Sequence, residues 1–188
     1  MIIILVLGGL VLAVAIGAAA GRWYAPQRRA TRAARPDTVG RILLPFTGAS
    51  ISRRAFDAAV RLARVENATL MPCYLATVPL NLPLEAALPA QCLRAMPLLE
   101  TIEQRASVQD VAVDARIARG RTYRDALRRM LDDEHFDRVI VSATNNPGAG
   151  FSGADLVWLL ARADAEVLIL RPAPEDHREV APAVAGHF

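Results

Sequence analysis

The chain predicts an α/β domain built on an open parallel five-stranded sheet with helices on both faces, preceded by one N-terminal transmembrane helix. Three observations lead there. From about residue 41 to residue 170, short apolar runs bounded by Gly or Pro alternate with segments whose apolar residues recur at helical spacing. Strands that alternate singly with helices pair in parallel, because each connection carries a helix across one face of the sheet. Finally, the first 21 residues, MIIILVLGGLVLAVAIGAAAG, contain no charged side chain.

That opening segment comes first in the chain and is separate from the rest. A run of about 20 apolar residues spans a hydrocarbon core of about 30 Å. RWYAPQRRATRAAR follows, with five Arg and a Trp-Tyr pair suited to the headgroup layer. Arg beside a span stays on the cytoplasmic side, so residues 1–21 are expected to anchor the chain in the cytoplasmic (inner) membrane as a single pass. Residues 22–37 form a basic linker that can rest on anionic lipid. The rival reading is a secretory signal cleaved after AAA, but its positive charges would lie on the wrong side and its apolar run is long for one. The soluble domain, residues 38–173, is then expected in the cytoplasm, followed by a disordered tail at 174–188 rich in Pro, Gly and polar residues.

Within the domain, RILLPF (Arg41–Phe46) is a buried strand stopped by Thr-Gly. Ser50 or Ser52 can cap the next helix, where Ala55, Phe56, Ala59, Leu62 and Ala63 share a face. Thr69–Val78 is the second strand, and Pro72 within it predicts a bulge or an edge. The proline-punctuated VPLNLPLEAALPAQ cannot be one regular element, and a helix is expected over Leu93–Ala106. VAVDARI (Val111–Ile117) alternates as a strand, and Thr122 caps a helix over Tyr123–Glu134. Arg138–Val141 is a strand, Asp155–Ala163 a helix, and Val167–Leu170, stopped by Pro172, the last strand.

Composition removes several chemistries. All 22 basic residues are Arg, so there is no lysine to bind a P-loop phosphate, form a Schiff base or accept a proton. An all-Arg, Ala-rich chain also fits a GC-rich bacterial genome. The net charge of +3 is small and concentrated in the linker, which gives no nucleic-acid footprint. Cys73 and Cys92 lack CxxC spacing and read as unpaired thiols of a reducing compartment. His135, His177 and His187 are scattered, so no metal site is expected; His135, near a helix end, complements the helix dipole. No nucleophile–base pair stands out, and no catalytic residue is assigned.

Ligands of open parallel sheets sit beyond the carboxyl ends of the strands, where strand order reverses. Three loops lie at such ends: Phe46–Ser50, Gly120–Thr122 and Ser142–Gly153. The last, within SATNNPGAGFSGAD, has the strand–glycine turn–helix layout that presents backbone N–H groups to a phosphate. Yet Ser152-Gly-Ala-Asp155 is also a capping box, in which Asp155 takes up the helix's own donors. A carboxylate about 4 Å from a phosphate, at an effective dielectric near 20, repels it by on the order of 4 kcal/mol per charge pair before screening. Arg121 and Arg124 could offset part of this, although both read more simply as solvated residues at a helix start.

A family resemblance sharpens the picture. RILLPFTGASISRRAFDAAVRLA resembles the opening of a universal stress protein domain. DALRRMLDDEHFDRVIVSA is similar to the family's third helix and fourth strand, and GADLVWLLARADAEVLILRP to its closing helix and strand. The resemblance spans Arg41 to Pro172. It implies an open α/β sandwich, commonly a homodimer through the last strand, in a family where some members bind ATP and others bind no nucleotide. ATP-binding members carry Gly, two residues, Gly, nine residues, Gly and then Ser or Thr. Here the first glycine position falls on Ser142, the second near Asn145, the third on Gly153 and the hydroxyl on Ala154, and the interval is about two residues short. Gly148 and Gly150 are displaced, Thr47 stands where the family has an acidic residue, and Gly120 alone matches cleanly.

Two functions follow as expectations. The first is a membrane-tethered, non-catalytic stress-response module that uses no cofactor and acts on an unknown protein partner. The second is an ATP-binding sensor with at most weak hydrolysis, in which Thr47, Gly48, Gly120, Gly148, Gly150 and Gly153 line the cleft.

Overall fold

The computed structural model describes residues 40–48, 50–144, 150–171 and 179–180. The expected membrane segment, the Arg-rich linker, Gly148 and most of the expected tail lie outside them. Among the described residues no helix is long and apolar enough to cross a membrane.

Five strands form a parallel sheet: β1 (Arg41–Phe46), β3 (Thr69–Thr77), β4 (Arg116–Gly120), β5 (Arg138–Ser142) and β6 (Glu166–Leu170). Their order is β4-β3-β1-β5-β6. The chain therefore winds one way from β1 through β3 to β4, then returns to the other side of β1, and the order reverses between β1 and β5. Alternation along each strand sends side chains to two cores. Ile42, Leu44 and Phe46 of β1 pack with helices α1 (Arg53–Val65) and α2 (Pro89–Ser107) on one face. Leu43, with Met71, Cys73, Val139 and Val141, packs with α3 (Tyr123–Asp133) and α4 (Gly153–Arg162) on the other. Among the described residues the expected layers and the four helices expected of the domain are present.

The caps explain where the helices start. Ser52, not Ser50, caps α1, its Oγ accepting from Ala55 N–H. Thr122 caps α3, accepting from Asp125 N–H at 3.1 Å. α2 begins four residues earlier than expected, at Pro89, where a ring with fixed φ and no N–H suits the first turn. The proline-punctuated stretch thus ends inside a helix.

Pro72 is neither at a bulge nor on an edge. β3 is paired on both sides, with Leu44 opposite Pro72 in unbroken register with β1. Leu70 N–H donates to Ala112 O and Leu70 O accepts from Asp114 N–H, which puts the even-numbered backbone groups of β3 on the β4 side. The N–H that Pro72 lacks would have pointed there. This corrects the expected strand over 111–117: Val113 makes only an isolated bridge to Leu70, and the ladder resumes, in the same register, at Arg116 opposite Cys73. Pro45 acts likewise on the other side. Asp137 N–H donates to Arg41 O, so odd-numbered β1 groups face β5, and that ladder pairs only Ile42–Arg138 and Leu43–Val139.

A second, two-stranded sheet was not expected. β2 (Ile51–Ser52) pairs antiparallel with β7 (Glu179–Val180). Two residues of the expected disordered tail are thereby ordered, because Val180 is fully buried in the α1–α2 core. Burying one valine contributes roughly 1.5–3 kcal/mol, enough to hold a short ladder.

Candidate functional site

The reversal between β1 and β5 places the turn after β1 beside the start of the glycine-rich loop. Two hydrogen bonds clip that loop at its base: Phe151 N–H to Ser142 O at 2.9 Å, and Thr144 N–H to Phe151 O at 3.0 Å. Phe151 is buried by this bridge and meets the Tyr123 ring edge-on, centroids 6.4 Å apart. The cleft is lined by Leu44, Pro45, Phe46, Thr47, Gly48, Ser50, Ile51, Ser52, Ala55, Ser142, Gly150 and Phe151. Its volume of about 10 Å³ is close to what a single water needs.

Of the residues expected to form a nucleotide site, Thr47, Gly48 and Gly150 are brought together there. Gly150 is held by close approach, since a Cβ on it would stand 2.6 Å from Ser142 O. Gly120 does not line this cleft. It is buried at the end of β4, where a Cβ would meet Ala126 N at 2.2 Å and Ala126 Cα at 2.7 Å. Its glycine is explained by a helix backbone packed against a strand end. Gly153 is the exposed first residue of α4, with open space around any added Cβ.

The N-terminus of α4 is occupied by its own side chains. Ser152 Oγ accepts from Asp155 N–H at 3.3 Å, and Asp155 Oδ2 accepts from Ser152 N–H at 2.8 Å and from Ser152 Oγ–H at 2.6 Å. The capping box read from the sequence is therefore present. Asp155 Oδ1 accepts from Tyr123 O–H at 2.9 Å and Arg124 Nε at 2.5 Å. Both carboxylate oxygens are thus used, and the residue is 2% exposed. Burial pushes the Asp155 pKa up, but hydrogen bonds from Ser152, Arg124 and Tyr123 together outweigh it and hold the pKa below the ordinary value. The Tyr123 hydroxyl is shifted upward, first by burial and then by this carboxylate.

Arg124 and Arg121 are not the solvated helix-start residues the sequence suggested. Arg124 offsets the Asp155 charge, so the expected phosphate repulsion is reduced; what remains is that the carboxylate already takes the Ser152 N–H and the Ser152 hydroxyl the Asp155 N–H. Arg121 turns away to donate to Pro79 O at 2.6 Å and Leu82 O at 2.8 Å, pinning the loop after β3. Tyr123 and Phe151 were not singled out in the sequence. An aromatic directly after each of Thr122 and Gly150 gave no periodic signal, and only the meeting of two distant turns gives them a role. Among the described residues no three His, Cys, Asp or Glu side chains are grouped to hold a metal. Cys73 is buried, and burial pushes its thiol up to about 12, which makes it inert at working pH.

The architecture defines a class: a doubly wound α/β domain with its crevice at the carboxyl ends of the first and fourth long strands. The chain matches no protein-family model and no curated protein. Among solved structures it is similar to a protein of the universal stress protein family from Burkholderia pseudomallei, with 21% identity over 71% of this chain and 96% of that one, TM-score 0.51. It is also similar to the universal stress protein UspA from Lactobacillus plantarum, with 18% identity over 72% of this chain and 100% of that one, TM-score 0.56. A third is a universal stress protein family protein from Arabidopsis thaliana with AMP bound, with 12% identity over 72% of this chain and 94% of that one, TM-score 0.53. The described domain has the universal stress protein fold, as the sequence resemblance implied.

Proposed function

We propose that this chain is a membrane-tethered, non-catalytic stress-response module of the universal stress protein type, acting through protein contacts rather than through a bound nucleotide. One observation carries the reading: the helix that would face a phosphate spends its cap on its own Ser152 and Asp155, beside a cleft of about 10 Å³. The tether rests on the uncharged residues 1–21 and the Arg that follow. The contact surface rests on β6, the last strand of the sheet among the described residues, where Ile169 is 40% exposed, and on Val157 and Leu160 of α4, exposed to 71% and 58%. A second copy pairing along that edge gives a homodimer.

The AMP in the Arabidopsis neighbour favours the second reading, an ATP-binding sensor. Calorimetry on the purified full-length chain, with and without Mg²⁺, separates the two. The first predicts no saturable heat for ATP or AMP below roughly millimolar, the ~4 kcal/mol scale of weak association. Micromolar binding would replace it with the sensor. The tether is checked by fractionation and by a reporter fused after Phe188: the chain sediments with membranes, and an extracytoplasmic reporter stays inactive.

A further inference from the structure

One pairing is not required by the α/β layout: β7 laid antiparallel on β2. Among the described residues the main sheet ends at β6, and the next described residue after Arg171 is Glu179. Its landing place is specific. β2 follows the turn after β1 directly, and Ile51, Ser52 and Ala55 line the cleft. Ser52 also caps α1. Val180, opposite Ile51, is fully buried among residues of α1 and α2. One wall of the cleft is thus held from behind by the C-terminal end of the chain.

We propose that β7 is a detachable latch, and that the groove it fills between β2, α1 and α2 is a docking site for an extended apolar segment whose resident is the chain's own Glu179–Val180. The hold is small. Among the described residues two pair on each strand, against six between β1 and β3, and the buried Val180 side chain anchors them. A segment held so locally opens without unfolding the sheet. Strand addition to an edge takes affinity from the backbone and selectivity from pockets for alternate side chains, and the Val180 pocket supplies the second. While the latch is seated, the wall formed by Gly48, Ser50, Ile51 and Ser52 and the α1 cap are fixed; when it leaves, both loosen together. The inference does not depend on what the cleft binds, so calorimetry could overturn the proposed function and leave this test intact.

Hydrogen-exchange mass spectrometry on the full-length chain in detergent tests it, comparing wild type with Val180→Asp, the milder Val180→Ala, and a chain ending at Arg171. Amides of Gly48, Ser50–Ala55 are expected to exchange about tenfold faster or more in Val180→Asp and in the shortened chain, and by a smaller factor in Val180→Ala, while β3 and β5 amides stay at the wild-type rate. A synthetic peptide REVAPA, added to the shortened chain, restores slow exchange in that segment, and the same peptide with Asp in place of Val does not. Unchanged exchange at Ser50–Ala55 overturns the latch. Equal acceleration across β3 and β5 in all variants also overturns it, because Val180 is then an ordinary core residue. So does a peptide that restores nothing.

Discussion

Two turns of this molecule are written in the same local code and do different work. Gly120-Arg-Thr-Tyr-Arg-Asp125 opens α3, and Gly150-Phe-Ser-Gly-Ala-Asp155 opens α4. Each has a glycine pressed against backbone, a hydroxyl at the N-cap and an aspartate three residues on. In the first turn Asp125 stays near the surface, accepting from Arg121 N–H at 2.9 Å and from Arg128 and Arg129 of its own helix at 2.6 and 3.2 Å. In the second turn Asp155 is buried, and its outside partners, Tyr123 and Arg124, are residues of the first. One carboxylate serves its own helix, while the other ties two helices together across the sheet end. A capping motif therefore fixes where a helix starts, but burial decides whether the same residue acts as a local cap or as a tertiary cross-link.

Substitutions can break that comparison, and the largest effect falls on the glycines. Gly120→Ala forces a Cβ into the α3 backbone and is expected to cost about 3 kcal/mol or more; Gly150→Ala, against one carbonyl, costs about 2 kcal/mol. Gly153→Ala, with open space around it, leaves stability unchanged or raises it by about 0.5 kcal/mol. Urea denaturation of the three variants ranks them, and equal losses would mean that close approach is not what selects glycine here.

The aspartates come next. Asp155→Ala strands the Tyr123 hydroxyl and removes the partner of Arg124, with an expected loss of about 2–4 kcal/mol. Asp125→Ala loses the acceptor of the Arg121 N–H and largely exposed ion pairs, about 1 kcal/mol. Added salt should shrink the Asp125→Ala difference more than the Asp155→Ala difference, since a pair with a buried carboxylate is screened less than an exposed one. Similar losses with similar salt dependence would erase the distinction between the two turns.

The smallest effect is on pH. Several hydrogen bonds, led by the one from Arg121 N–H, lower Asp125 to about 2, and Asp155 is also held below its ordinary value. Groups with folded pKa values below their unfolded ones stabilise the fold above about pH 4 and lose that contribution as they protonate on the way down. Stability should fall as pH drops from about 4 toward 2, and Asp125→Asn should make the fall shallower. A variant with the wild-type slope would mean that Asp125 carries none of it.

Much of the fold could be read because local and tertiary demands agree. Arg41–Phe46 and Arg138–Val141 are apolar runs with a strand's length and boundaries, and Ser152 with Asp155 declares the start of α4. The misreadings arise where a neighbour decides. Val111–Ile117 alternates like a strand, yet it pairs fully only from Arg116, because Pro72 on the adjacent strand has no proton to give. Leu93 looked like the first helical residue because the prolines before it read as breaks, although Pro89 begins the helix. Nothing local marks Glu179–Val180 as a strand, since its pairing is set by a pocket more than a hundred residues earlier in the chain. The site was half legible. Thr47, Gly48 and Gly150 do meet, but Gly120 matched a family pattern for a reason of packing, and the Arg124–Asp155 pair joins positions 31 residues apart.

The two prolines inside the sheet have a consequence for the chain before it folds. RILLPF and TLMPCYL are the kind of short, apolar, weakly charged windows that stack into cross-β fibrils when many unfolded copies meet. A fibril of identical strands in register needs every residue to donate to the layer above or below, so a proline removes one bond from every layer. The native sheet loses that bond only once at each position, on the β5 side of Pro45 and the β4 side of Pro72. The same missing protons that shorten two ladders in the folded molecule thus act as gatekeepers on the ribosome-fresh chain, inside the segments where self-association would be most dangerous.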